Sequence, residues 1–439
     1  MKKALSTIYL MLFTALLLVP SAGMLVKGPS ESENGEETVF PSVSTIDGAI
    51  LPEMGEWFES HFAFRQEFVS AYSFISETIF GTSPVSGVVT GSDGWLFYED
   101  TVPDYQRTNI LTDRQIHNTV RHLELIDEYC EENGMDFLFV IAPNKNTLYP
   151  EYMPYYIAAG EGPSNRDLIR EALNDSSVDY IDFGISDTFT DPDAVYYFRR
   201  DSHWNNMGAA IASDAMLQTL NIPHHSYMND PFTGVDEHMG DIEQMIHPSS
   251  VAPETDIFFD TMPQFTYDAP VESNFDFRIG TKGEGEMNLL MYRDSFGTAL
   301  LPFMAEPFSH TFFSQSNSYQ ITDISSQQPD ILIMEKVERF LDQLCTAPSR
   351  LPAPSRILPG DAIEIEAEDF TTAEAGDYIT VTGMLPEGSY EADSIIYIVC
   401  GDLCFEAFPV SDIQEGSEGF QALLEKNLVS TDNIRVFIA

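Results

Sequence analysis

Three side chains in this sequence have the types and spacing to do chemistry together. The stretch "YYFRRDSHWNN" (196–206) sets Asp201 and His203 two residues apart, with Trp204 next. Further on, "NLLMYRDSFGTALLPFM" (288–304) places Ser295 after an apolar run and just ahead of a helix that begins at Gly297. A serine hydroxyl is a weak nucleophile until a neighbouring base takes its proton, and an imidazole needs a carboxylate to fix its tautomer. Ser295, His203 and Asp201 supply these roles of nucleophile, base and orienting acid. A helix starting directly after the serine, at Gly297, adds backbone amides that can hold a developing oxyanion. Each fragment by itself reads better as structure, Ser295 as a capped helix start and His203 as a satisfied surface histidine. Two such fragments, each following an expected strand, point to acyl chemistry.

The elements that must position these residues can be read from the periodicity. Thr112 and Gln115 form a capping box ahead of Ile116, Val120, Leu123 and Ile126, and Gly134 ends that helix. "DFLFVIA" (136–142), "VDYIDFG", "AVYYF", "MNLLMY", "HTFFS" and "PDILIME" read as strands. "SNRDLIREALND", "NNMGAAIASDAMLQTL" and a segment from 297 read as helices between them. Continuous apolar strands alternating with helices predict a parallel sheet covered on both faces, an α/β fold. Residues from about 221 to 285 show no regular pattern. Upstream, Phe68, Tyr72, Ile75 and Ile79 fall at helical spacing and predict a helix packed on that stripe.

At 439 residues the chain is long for one domain, and its composition changes along its length. Lys2 and Lys3 precede the uncharged run Ala4–Val26, the pattern of an export signal or a membrane anchor (1–26), interrupted by Pro20 and Ser21. Either alternative places the rest of the chain outside the cytoplasm. Residues 27–49 are polar, acidic and rich in Ser, Gly and Pro, a linker. The α/β pattern occupies 50–345, and "TAPSRLPAPSRILPG" (346–360) reads as a Pro-rich linker. Short alternating strands fill 361–439, a small β-sandwich-like domain, read equally as a glycan-binding module or a structural cap.

The charge is strongly acidic: 21 basic residues against 70 acidic ones give a net −49, which repels nucleic acid and anionic lipid headgroups. Cys130, Cys345, Cys400 and Cys404 are too few for a disulfide scaffold. Cys400 and Cys404 flank the turn "GDL", and the spacing admits a local bridge. No cysteine or histidine set has zinc-ligand spacing, so neither a metal site nor a cofactor is expected.

The sequence resembles the SGNH-hydrolase-like proteins of the alginate O-acetyltransferase and DHHW group. Their Asp-x-His-Trp-Asn is matched by Asp201, His203, Trp204 and Asn205, and their strand-borne Asp-Ser by Asp294 and Ser295. The order Asp-His before Ser is the permuted order of that group. Further matching stretches are "HFAFRQEF" (61–68), "GSDGWLFY" (91–98), "APNKNTLYPEYMP" (142–154) and "VERFL" (337–341), so the resemblance runs from about 50 to 345. Ser202 stands where the eponymous motif has His, a position outside the three catalytic ones. The resemblance implies an SGNH-like sheet flanked by helices and O-acetyl transfer through Ser295 to an exported polysaccharide, with the backbone amides of Ser295 and Gly297 holding the oxyanion. It also implies a membrane-bound acyltransferase partner as acetyl source. Lys145 is implied to line the cleft or to be a solvated loop lysine. Trp204 would pack under His203 or stack on a sugar, and Asn317 and Tyr319 are the candidates for the second oxyanion donor. An acetyl esterase, or a glycan-binding protein without catalysis, is the alternative reading.

Overall fold

The computed structural model describes residues 2–29, 40, 50–185, 188–189, 194–317, 319–412, 416–429 and 433–439. Most of the expected spacer at 27–49 lies outside them. Two compact units emerge, residues 1–90 with 239–253, and residues 91–238 with 254–439.

The first unit is helical. Helix α1 spans Lys2–Lys27, α2 Ile50–His61 and α3 Arg65–Phe80. Within α1, Ser6–Lys27 has a mean hydropathy of 2.0 and is long and apolar enough to cross a membrane. Gly81 ends α3 in the left-handed conformation (φ 65°), its N–H bonded to the Glu77 carbonyl. The inner face of α3 is not the expected stripe. Ser70, Ser73 and Ser76 are buried, while Tyr72, Ile75 and Ile79 are 63%, 51% and 66% exposed. Polar contacts fix the helix instead: the Ser249 amide and hydroxyl both donate to Ser70 Oγ, and His247 pairs with Glu77 at 2.9 Å. Small hydroxyls allow close approach of the 239–253 segment, and the apolar stripe is left outside.

The second unit contains α4 (Asp113–Glu132), β1 (Asp136–Ala142), α5 (Asn165–Leu173), β2 (Tyr180–Asp182), α6 (Asn206–Thr219), β3 (Phe232–His238), β4 (Glu254–Phe259), β5 (Thr266–Tyr267), β6 (Arg278–Lys282), β7 (Asn288–Tyr292), α7 (Gly297–Ala305), β8 (His310–Ser314) and β9 (Ile331–Val337). Its main sheet has the order β2-β1-β9-β7-β8-β6-β5. The first five strands are parallel, as expected, and β6 and β5 add an antiparallel edge, which makes the sheet mixed. That edge comes from the stretch that reads as irregular, as does the separate antiparallel pair of β3 and β4. Edge and outlying strands keep one side in water, so they lack the continuous apolar run that marks a central strand. β3 shows this directly, being exposed along almost its whole length.

The central strands bury both faces. Leu138, Val140, Leu289, Met291, Ile331 and Ile333 pack under α6 and α7, with Ala209, Met216, Leu300 and Met304. Their neighbours Phe137, Phe139, Ile141, Leu290, Leu332 and Met334 pack with Leu123 and Ile126 of α4 and Ile169 of α5. α4 begins with the expected Thr112–Gln115 capping box.

The C-terminal strands are β10 (Ile363–Ile365), β11 (Glu368–Ala375), β12 (Tyr378–Met384), β13 (Ile396–Cys400), β14 (Leu403–Glu406), β15 (Phe408–Asp412), β16 (Ser417–Glu425) and β17 (Ile434–Ile438). They form two antiparallel four-stranded sheets, β10-β17-β13-β14 and β11-β12-β16-β15. Side chains of both, among them Val381, Ile398, Phe420 and Val436, share one apolar core. Cys400 and Cys404 do flank a hairpin turn, but both are free. Cys404 lies opposite Val399, one position out of step with Cys400, so the two thiols leave on opposite faces and join different apolar clusters.

The Pro-rich segment is tied down on both sides. The Ser349 amide donates to His122 Nε2 (3.2 Å), Arg350 N to the Tyr319 carbonyl (2.7 Å), Ala353 N to Leu423 O (2.9 Å) and Arg356 N to Cys404 O (2.8 Å). Arg356 also pairs with Glu406 (2.8 Å) and Glu128. Proline removes amide donors here, and the Ser349, Arg350, Ala353 and Arg356 amides find protein acceptors.

Candidate active site

Asp201 and His203 sit in a tight hairpin, not at the end of a sheet strand. "AVYYF" makes only an isolated bridge, Tyr197 with Trp204, closed by Asn205 N to Tyr196 O (2.8 Å) and Phe198 N to His203 O (3.2 Å). A turn this tight leaves carbonyls pointing inward that need donors. The buried Lys145 supplies them, its ammonium donating to the carbonyls of Phe198 (3.3 Å), Arg199 (3.1 Å) and Asp201 (2.6 Å). Lys145 therefore holds the turn from below, which corrects both expectations for it, cleft lining and solvated loop lysine. On the outer side, the Arg199 and Arg200 amides donate to the Glu254 carboxylate at 2.8 and 2.7 Å.

The rest of the motif builds the same turn. Trp204 is 1% exposed, packs edge-on to Phe296 and Phe183, and donates from Nε1 to the Phe296 carbonyl (3.0 Å). It is core, out of reach of a sugar ring. Asn205 caps α6 by accepting from Gly208 N (2.9 Å) and donates back to the Val195 carbonyl (2.7 Å). Gly208 is needed because a Cβ there would lie 2.4 Å from the Tyr196 carbonyl oxygen.

Ser295 follows β7 on a turn fixed by Asp294. One oxygen of that carboxylate accepts from Phe296 N (2.8 Å) and the other from Val337 N (2.7 Å), while its own amide donates to Glu335 (3.1 Å). Arg293, 2% exposed, donates to the Asp294 carbonyl (3.3 Å), Thr298 Oγ1 (3.0 Å) and the carbonyls of Asn274 (2.7 Å) and Asp276 (3.2 Å). Gly297 lets the helix start here, since a Cβ would meet the Arg293 side chain at 2.5 Å. Charges under the turn are strongly perturbed. Burial pulls the Arg293 guanidinium down to about 10 against the opposing carboxylates of Glu335, Asp294 and Asp276. Burial, with the nearby Asp294 charge, holds the Glu335 carboxyl well above the usual range, and burial lowers the Lys336 ammonium.

Between the two turns the three functional groups meet. His203 Nε2 lies 2.8 Å from Ser295 Oγ, and His203 Nδ1 lies 2.7 Å from Asp201 Oδ1. The His203 amide donates to the same oxygen at 2.8 Å. A carboxylate accepts only, so Nδ1 carries the ring proton and Nε2 is the acceptor for the serine hydroxyl. Asp201 is buried, His203 is partly exposed, and Ser295 is half-buried beside the Phe296 ring. The ring of exposed Phe275 stands 6.4 Å from that of His203.

A fourth group was not legible in the sequence. His238, at the end of β3, places Nε2 at 2.9 Å from Asp201 Oδ2 and stacks on Phe198 with ring centroids 3.6 Å apart. Burial pulls its pKa down, but the hydrogen bond to Asp201 and the charges of Asp201, Asp256 and Glu254 outweigh it and leave the pKa raised. Of the remaining expected residues, Asn317 is exposed and accepts from Lys336 Nζ at 2.7 Å. Tyr319 is buried against Tyr292 in the core under α4, away from solvent. Tyr319 is a packing residue.

Residues 88–276 match the family model of the SGNH hydrolase-like domain of the acetyltransferase AlgX. The resemblance carried by the Asp-x-His-Trp-Asn motif is borne out over that span. The AlgX match includes Asp201, His203 and His238 and ends before Ser295. No curated protein matches the chain. Among solved structures, PatB1 of Bacillus cereus is 15% identical with a TM-score of 0.45, over 58% of this chain and 98% of its own. A DHHW family protein from Eubacterium siraeum is 14% identical with a TM-score of 0.42, over 61% of this chain and 100% of its own. AlgX of Pseudomonas aeruginosa is 15% identical with a TM-score of 0.38, over 84% of this chain and 98% of its own.

Proposed function

We propose that the protein is an extracytoplasmic O-acetyltransferase that carries an acetyl group on Ser295 and passes it to a hydroxyl of a polysaccharide. The observation that carries this reading is the unbroken relay from Asp201 through His203 to Ser295 Oγ, with contacts of 2.7 and 2.8 Å. The match to an acetyltransferase domain supports acetyl as the group transferred. His203 takes the Ser295 proton as the hydroxyl attacks the donor ester, and the Ser295 and Gly297 amides hold the oxyanion. His203 then returns the proton to the leaving group; in the second half it deprotonates the sugar hydroxyl that attacks the acyl-serine and passes that proton to Ser295 Oγ as the acyl bond breaks. Asp201 keeps the imidazole in the required tautomer and balances its charge. The apolar helix at the N-terminus supports export or anchoring of a body extending from about 50 to 345, with 361–439 as an appended β module. Within this reading, the acetyl donor is a membrane-bound acyltransferase.

The test is turnover of a small acetyl ester followed by analysis of the trapped intermediate. Ser295→Ala and His203→Ala each lower turnover by at least about 10³-fold, and combining them with Asp201→Ala adds little, since triad members act as a unit. Mass spectrometry after acid quench finds acetyl on the Ser295 peptide of the wild type alone. Acetylated sugar as product identifies the transferase, and free acetate alone identifies an esterase. Wild-type turnover in Ser295→Ala, or acetyl on another residue, overturns the assignment.

A further inference from the structure

Asp201 is shared by two imidazoles. Its Oδ1 accepts from His203 Nδ1 (2.7 Å) and its Oδ2 lies 2.9 Å from His238 Nε2. Because the carboxylate can only accept, His238 carries its proton on Nε2 when neutral and gains the second on Nδ1. The ring is held rather than loosely apposed: it stacks on Phe198 with an interplanar angle of 6°. Phe198 in turn belongs to the turn whose carbonyls Lys145 binds, the same turn that carries Asp201.

We propose that His238 is a positioning residue for Asp201, and that its protonation sets how strongly Asp201 supports His203 as base. Neutral His238 leaves the full carboxylate charge to His203. Protonated His238 places a positive charge at hydrogen-bond distance from the same carboxylate, which lowers the basicity of His203. The charged groups facing His238 are Asp201, Asp256 and Glu254, all acidic, and they favour its cationic form, with Glu237 adding to the field at Asp256. The raised pKa of His238 makes its cationic form easier to reach as pH falls.

The consequence for catalysis rests on the triad reading above, and the coupling itself can be read without catalysis. In a Ser295→Ala background, NMR of the ring nitrogens follows His203 through pH. The expected result is a two-step His203 titration that becomes single-step in both His238→Gln and His238→Ala. In the Ser295-intact enzyme, His238→Ala lowers kcat for a small acetyl ester by about tenfold, the worth of one hydrogen bond to a charged group. His238→Gln, whose amide still donates to Asp201, recovers most of that loss, but the acid limb of its kcat profile contains one ionisation fewer. A His203 titration identical in all three backgrounds overturns the proposal, whatever the ester assay gives. An unaltered titration together with low turnover in His238→Ala would mark His238 as a merely structural contact.

Discussion

Helices α3 and α4 carry the same kind of sequence signal and opposite outcomes. Both show apolar residues at three- and four-residue spacing. In α4 that pattern faces inward: Val120, Leu123 and Ile126 are buried against β1 and its neighbours, and the capping box fixes where the helix begins. In α3 the pattern faces outward, and three serines face in. Periodicity therefore locates a stripe but does not say what the stripe meets. What decides the matter is the rest of the neighbourhood. α4 is followed within a few residues by a continuous apolar strand that supplies its partner, whereas the partner of α3 is the polar segment around His247 and Ser249.

The sharpest way to break this comparison is a matched pair of truncations. Leu123 is fully buried, so Leu123→Ala removes packed methyl groups and leaves a cavity, at a cost of about 2–5 kcal/mol. Ile75→Ala removes groups that already touch water and changes stability by less than about 0.5 kcal/mol. Chemical denaturation of the two variants measures both values. Equal costs would mean that α3 packs as α4 does.

α4 also predicts how the protein responds to acid. His122 is fully buried, its Nδ1–H donating to the Leu344 carbonyl (2.7 Å) and its Nε2 accepting from Ser349 (2.7 Å from Oγ). Burial pushes the imidazole from 6.5 down to about 4, only partly opposed by the hydrogen bond to Leu344. Between those two values the unfolded chain binds a proton that the folded one refuses. The contribution of His122 is therefore complete above pH 6.5 and is lost as pH falls towards 4. The loss amounts to about 3 kcal/mol. Melting temperatures at pH 7.5 and 4.5, compared between wild type and His122→Gln, isolate it: the wild type drops further. Because Ser349 opens the Pro-rich segment, the same acidification should expose 346–360 to protease. A segment cut equally fast at both pH values would show that His122 does not hold it.

The sequence revealed most where function depends on neighbours in the chain. Asp201 and His203 are two residues apart, and Ser295 announces itself by standing between an apolar strand and a helix. Those three were legible, as were the five parallel strands, because a strand buried on both faces must be apolar throughout. What stayed hidden depends on distant pairing. His238 ends a solvent-exposed strand in a stretch without pattern, and only the fold brings it to Asp201. Lys145 and Asp294 fall in stretches that the resemblance marks, but their task of satisfying backbone groups that a tight turn leaves over is visible only in the fold. The hairpin that carries Asp201 reads as a strand because Tyr196, Tyr197 and Phe198 are apolar enough for one. Their rings pack against Phe189, Trp204 and His238 and need no sheet partner.

The smallest effect on stability comes from the outward stripe itself, and it sharpens the comparison by another readout. Exposed apolar side chains in a row favour association even when they contribute nothing to the fold. A chain beginning at Ser44, which lacks the apolar N-terminal helix, should self-associate at micromolar concentration through Tyr72, Ile75 and Ile79. Replacing Ile75 and Ile79 with serine should return it to a monomer, with a stability change below about 0.5 kcal/mol, as expected for substitutions at the surface. Size-exclusion chromatography with light scattering, with and without mild detergent, reads the mass of both proteins. If the unsubstituted chain is already monomeric without detergent, the stripe has found cover within its own chain. The contrast between α3 and α4 would then disappear, because both helices would bury the face that their periodicity marks.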